Sequence, residues 1–161
     1  MPDLIAGLLH PLHGGDHLLA MLAVGFWGAR YRGGARWILP AAFVGCMGLG
    51  SLLGGRLPYT EAMIAVSVLV IGLAAAIRWR APVAAGAALV GLFAVFHGHA
   101  HVEALAAGVS TAAFSAGMLM STALLHAAGL VAALGLARLS ASLPRALGAA
   151  TALAGAWLLL A

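Results

Sequence analysis

A chain of 161 residues with eight Arg, no Lys and four acids does not carry enough charge to cover a water-facing surface. Soluble domains carry about 25% charged and about 45–50% apolar residues; here the values are 7% and 64%, with a mean hydropathy of +1.09. Most of the exterior must therefore face hydrocarbon, which excludes a soluble monomer and specifies an integral membrane protein whose first partner is the lipid bilayer. The net charge of +4 does not signal nucleic acid, because the arginines are scattered in ones to threes with no basic stripe. Cys46 is the one cysteine, so there is no disulfide within the chain and no Cys-based zinc site.

Hydropathy, punctuated by Arg, Pro and Gly, divides the chain into six spans at approximately Leu4–Ala29, Trp37–Gly55, Pro58–Trp79, Pro82–Gly98, Val109–Ala137 and Leu143–Leu160. The connections are too short for a soluble domain. Backbone groups in lipid must be satisfied internally, and no ten-residue alternation of a barrel is present, so the spans are helices. The expectation is an all-α, polytopic, single transmembrane domain over residues 1–161, a compact bundle of six helices. Seven arginines (Arg30, Arg32, Arg36, Arg78, Arg80, Arg138, Arg145) lie on alternate connections and only Arg56 on the other side, which makes those connections cytoplasmic and puts both termini outside. An outside N-terminus implies a precursor with a cleaved signal peptide. Gly45, Gly48 and Gly50 in span two and Gly86 and Gly91 in span four predict close helix contact, and a homo-oligomer is compatible with such surfaces. No internal repeat is evident.

Seven His against four acids is the anomaly, because histidine is costly inside a bilayer and is a common metal ligand. Span one holds His10-Pro11-Leu12-His13-Gly14-Gly15-Asp16-His17. At 100° per residue, His10, His13, His17 and Met21 share one face within about 80°. Pro11 and the Gly14-Gly15 pair weaken the helix, so a distortion there would bring Asp16 toward the same centre and points to a cavity. Span four ends in Phe96-His97-Gly98-His99-Ala100-His101-Val102-Glu103. If the helix continues, His97 and His101 share a face while His99 points elsewhere; if it unwinds at Gly98, all three become available. By the expected topology both clusters lie in the outer half and can meet. His126, about 17 residues into span five, is expected some 25 Å deeper at about 1.5 Å per residue.

A lone intramembrane His is as often a hydrogen-bond partner as a ligand, and this applies to His13, His99 and His126 taken singly. Two clusters holding six His, an Asp and a Glu are another matter, since every buried polar group needs a partner and hydrocarbon offers none. Met21, Met63, Met118 and Met120 read as packing, as does Cys46. Glu61, in the first turn of span three, suits the helix dipole, with a role at an entrance as the lesser reading. Imidazole with carboxylate and no thiolate cluster suits Ni, Co, Zn or Fe(II) better than Ca, Mg or Cu(I), without choosing among the former.

These motifs carry a resemblance. His10-Pro11 with Gly14 and Asp16-His17, Phe96-His97-Gly98-His99-Ala100-His101 with Glu103, and Thr122-Ala123-Leu124-Leu125-His126 with Gly129 resemble the HupE/UreJ family of bacterial nickel permeases over nearly the whole chain. Val102 departs from it, standing where Gly is expected and stiffening the backbone after His101. The resemblance implies a multi-pass protein of the bacterial inner membrane, not an enzyme and without a prosthetic group, that takes up Ni²⁺ or, in some members, Co²⁺. It assigns His10, Asp16, His17, His97, His101, Glu103 and His126 to the metal path; His13 and His99 are added by the geometry above. A rival reading is an intramembrane zinc-dependent hydrolase, with three His on Zn²⁺ and Asp16 or Glu103 as general base. A b-type haem held by facing His pairs is a weaker third.

Overall fold

The structure is a computed structural model that describes residues 1–103 and 105–161. Helices make up 80% of the chain, and no strand occurs among the described residues. In chain order they are α1 (Pro2–Leu9), α2 (Gly15–Gly28), α3 (Ile38–Gly50), α4 (Thr60–Ala76), α5 (Val83–Glu103), α6 (Thr111–Leu139) and α7 (Leu143–Leu160), with 3₁₀ turns at His10–Leu12 and Gly33–Trp37. By length and composition α5, α6 and α7 can each cross a bilayer, and α4 is a shorter apolar helix. Large apolar side chains such as Leu92, Leu124, Val131, Leu153 and Trp157 stand exposed on the helices' outer faces, so this is a membrane protein whose surface is solvated by lipid.

The first expected span is not one helix. Pro11 lies within the 3₁₀ turn and Gly14 is extended (φ −102°, ψ 112°), so α1 stops and α2 starts afresh at Gly15. The fourth expected span does not end at Gly98; α5 continues through Glu103 with Val102 inside it, where Val is a better helix former than the Gly expected at that position. The second is shortened to α3, and a 3₁₀ turn precedes it.

The principal pairings are α4 on α7, α3 on α5, and α1 and α2 on α6. Two glycines set the spacing that matters for the histidines. A Cβ at Gly98 would collide with the backbone carbonyl of Met47 in α3, and one at Gly25 in α2 would collide with that of His126 in α6. At both places the helices approach backbone to backbone, as small residues permit where lipid gives no hydrophobic drive for association. Gly45 faces open space instead of the expected helix contact; five residues before Gly50, it lies about 140° away around α3. The core between the helices is filled by Met21, Trp27, Leu39, Phe43, Met47, Ile71 and Met118, all fully or almost fully buried.

Candidate metal-binding site

The break at Pro11–Gly14 determines which span-one side chains converge. A 100° phase does not carry across an interrupted helix, so the expected four-residue stripe splits. His13 is exposed, whereas His10 and His17 both turn toward α5. The His10 ring meets His101 edge-on at 4.6 Å between centroids and Phe114 of α6 at 5.2 Å. His17 lies 4.8 Å from His97 and 4.4 Å from His101. His97 and His101, one turn apart on α5, are 0% and 3% exposed. Four imidazoles from two segments thus form one contiguous cluster.

Hydrogen bonds orient two of these rings. Asp16, in the first turn of α2, accepts through Oδ1 from the backbone N–H of His17 at 2.8 Å and from Nδ1 of the same residue at 2.8 Å. That leaves His17 Nε2 as the bare nitrogen, and it is buried with no hydrogen-bond partner among the described residues. The Ser67 hydroxyl of α4 donates its single proton to the Ile64 carbonyl at 2.6 Å, so its 2.9 Å contact with His97 is Nε2–H donating to Oγ. His97 Nδ1 is then the bare position, and it too is buried without a partner, as is His101 Nε2. An imidazole whose second nitrogen is fixed by a carboxylate or hydroxyl, with the first left unengaged, is the arrangement that presents a ligating lone pair.

His126 sits nearer than expected. Its Nδ1–H donates to the Met21 carbonyl at 2.7 Å, leaving Nε2 buried and unpartnered. The Phe43 ring packs against both it and the cluster, 5.3 Å from His97 and 5.0 Å from His126 between centroids, which caps the separation of the two imidazoles at about 10 Å. The expected 25 Å was counted from the end of the span, but His97 itself lies a turn and a half inside α5, so the step between them is short. Beside His126, the Thr122 hydroxyl points at Met21 Sδ (3.4 Å) and Met47 Sδ (3.6 Å).

Two expected residues face another way. With α5 continuous, His99 and Glu103 lie 200° around from His97 and His101. His99 Nε2 accepts from the Leu57 backbone N–H at 3.1 Å and is 3.2 Å from Glu103 Oε2; Glu103 Oε1 pairs with Arg56 Nε at 3.2 Å. This pair secures the loop before α4. Glu61 lines a cleft of about 290 Å³ together with Asp16, Ala65 and Leu158, so the carboxylate that orients His17 borders an opening that Glu61 shares.

Sequence reasoning missed Ser67, Phe43 and Phe114. Ser67 carried a signal: it is a lone hydroxyl within an otherwise apolar stretch of α4, and such a group in a membrane helix needs an acceptor or donor nearby. The aromatic rings carried none, since their neighbours are remote in sequence. Among the described residues, no group of three His, Cys, Asp or Glu side chains already encloses a point where an ion would fit. The rings pack against each other.

Residues 2–158 match the family model described as HupE / UreJ protein. A curated relative, Protein HupE of Rhizobium leguminosarum bv. viciae, is 42% identical over 159 residues, spanning 96% of this chain and 83% of its own length. No solved structure matches the chain. With the match covering nearly every residue, including both histidine motifs, the chain belongs to the HupE/UreJ family.

Proposed function

We propose that the protein takes up a divalent transition-metal ion, Ni²⁺ before Co²⁺, across the bacterial inner membrane along a path lined by histidine. The observation that carries this reading is the cluster of His10, His17, His97 and His101, in which three buried imidazole nitrogens have no partner among the described residues. Buried polar atoms without partners cost about 1–3 kcal/mol each, and a borderline cation is the partner that imidazole lone pairs suit. The family's implied substrate agrees with the ligand chemistry.

In the proposed path a hydrated ion enters by the cleft beside Asp16 and Glu61, on the outer face. His17, oriented by Asp16, and then His97 and His101, displace part of its water. Phe43 touches both this station and His126, whose Nε2 offers the next lone pair on the way to the cytoplasm. His10 borders the cluster; His13, His99 and Glu103 have no part in this path. A membrane potential of 100 mV contributes about 2.3 kcal/mol per charge, roughly 4.6 for a divalent ion, so inward flow needs no coupled energy source.

The test is uptake into proteoliposomes loaded with a chelating dye, comparing Ni²⁺, Co²⁺ and Zn²⁺ under an inside-negative potential. Saturable uptake of Ni²⁺ or Co²⁺ is expected, lost in His97→Ala. No uptake of any of the three, from protein that is folded and inserted, refutes transport.

A further inference from the structure

The end of the bundle opposite the histidines holds seven of the eight arginines and none of the four acids. Asp16 and Glu61 stand at the starts of α2 and α4, whereas Arg30 and Arg78 follow the ends of those helices. Arg56, at the histidine end, is paired with Glu103. The arginine end therefore has no carboxylate of this chain to neutralise it.

Three of these arginines gather around one cavity. Arg30, Arg78 and Arg145 line a space of about 70 Å³ whose remaining wall is apolar, with Phe26, Ala133 and Leu134 contributing. Arg30 Nε is buried and has no hydrogen-bond partner among the described residues, although guanidinium donors almost always find one. Burial, and then the charges of Arg78 and Arg80, push Arg30 below its usual value; since a guanidinium does not give up its proton in proteins, relief comes from an anion.

Arg78 adds an independent observation. It occupies the left-handed region (φ 57°) at the close of α4, where its N–H bonds the Ala75 carbonyl (3.3 Å) and the Trp79 N–H bonds the Ala74 carbonyl (2.9 Å). This is the position at which helices ordinarily end in Gly. A long cationic side chain on a backbone that favours glycine has to be justified by what the side chain does.

We infer that this cavity is a binding site for the phosphate of an anionic phospholipid headgroup. A phosphate group is small enough to sit among the three guanidinium groups, while the glycerol and acyl chains would run outward along the apolar wall to which Phe26 and Leu134 contribute. Planar guanidinium forks match phosphate oxygens bidentately, and basic pockets between membrane helices at the leaflet surface suit lipid headgroups. Orientation by positive charge requires arginines only in the connections; it does not require three of them to converge on a cavity with an unpartnered nitrogen. The site is independent of the metal path.

The experiment is thermal unfolding of the full chain in an uncharged detergent, with phosphatidylglycerol, phosphatidylcholine or inorganic phosphate added, and native mass spectrometry of the lipid retained. In the unsubstituted protein, phosphatidylglycerol is expected to raise Tm saturably with one lipid held per chain, while the other two leave Tm unchanged. Arg145→Gln and Arg78→Gly lose the shift and hold the lipid at least tenfold more weakly; Arg138→Gln, which removes the same charge outside the cavity, keeps both. Because glycine relieves the left-handed backbone, Arg78→Gly unfolds no earlier than the unsubstituted protein without lipid, so its lost response does not reflect a damaged fold. An undiminished response in Arg78→Gly and Arg145→Gln, or an equal response to phosphatidylcholine, overturns the site. A full response to inorganic phosphate alone overturns the assignment to lipid.

Discussion

Replacing Ser67 by Ala tests how the cluster prepares a lone pair. In the folded protein His97 Nε2–H donates to Ser67 Oγ at 2.9 Å, and both groups are fully buried. Removing the acceptor frees the ring to change tautomer or to turn, and it leaves a buried N–H unsatisfied. Loss of such a supporting contact typically weakens metal binding about 10–100-fold, equivalent to about 1.4–2.8 kcal/mol, and the orphaned donor adds a stability cost of about 1–3 kcal/mol. The assay is Ni²⁺ titration calorimetry in detergent, paired with thermal unfolding of the metal-free protein. Ser67→Cys, whose sulfur is a weak acceptor, should fall between Ala and Ser. Unchanged affinity in Ser67→Ala alongside abolished binding in His97→Ala would show that His97 ligates without needing its tautomer fixed, and the reasoning from hydrogen-bond partners would fail.

Asp16→Ala or His17→Ala should abolish cellular metal accumulation while the protein still inserts, measured by elemental analysis of cells matched for protein level; normal accumulation in both removes the cluster from the path. Proton and metal compete for the same imidazole lone pair, so binding should fall as the solution is acidified and recover on return while the protein stays folded; binding unaffected by acid down to the point of unfolding would argue against histidine ligands. Gly98→Ala places a Cβ against the Met47 backbone and should destabilise the α3–α5 contact by about 1–3 kcal/mol, read as a lower Tm, whereas Gly45→Ala, in open space within α3, should hold or raise Tm.

What could be read from the residues alone follows a physical boundary. The pairing of His97 with His101, and the opposition of His99, depend only on helical phase within one uninterrupted segment, and α5 supplies that segment through Glu103. Pro11 and Gly14 announced a distortion, but its form decides whether His13 stays with His10 and His17, and a 3₁₀ turn followed by an extended glycine rotates it out to the surface. The partners of the imidazoles were harder still. Ser67 reaches His97 across 30 residues, and the Met21 carbonyl reaches His126 across 105; no local pattern encodes either. The short step from His97 past Phe43 to His126 likewise depends on how far α5 and α6 slide along one another.

The packing of the cluster bears on how strongly it should hold an ion. His10, His17, His97 and His101 make three ring contacts at 4.4–4.8 Å between centroids, and an entering ion must part them. Aromatic pairs of this kind are each worth about 0.5–1.5 kcal/mol, so opening the three contacts opposes binding by about 1.5–4.5 kcal/mol in total, a loss of about one to three orders of magnitude in affinity at 1.4 kcal/mol per tenfold. A storage site would be weakened by this arrangement. A conduit benefits, because its sites must draw an ion out of water yet let it leave, and rings that close behind the departing ion recover their mutual contact. Phe43→Ala offers the check: with the ring that packs against both His97 and His126 removed, exchange between the two stations should quicken and uptake should become less selective among Ni²⁺, Co²⁺ and Zn²⁺ in proteoliposomes. If rate and selectivity both stay as they are, the ion does not pass between these two histidines.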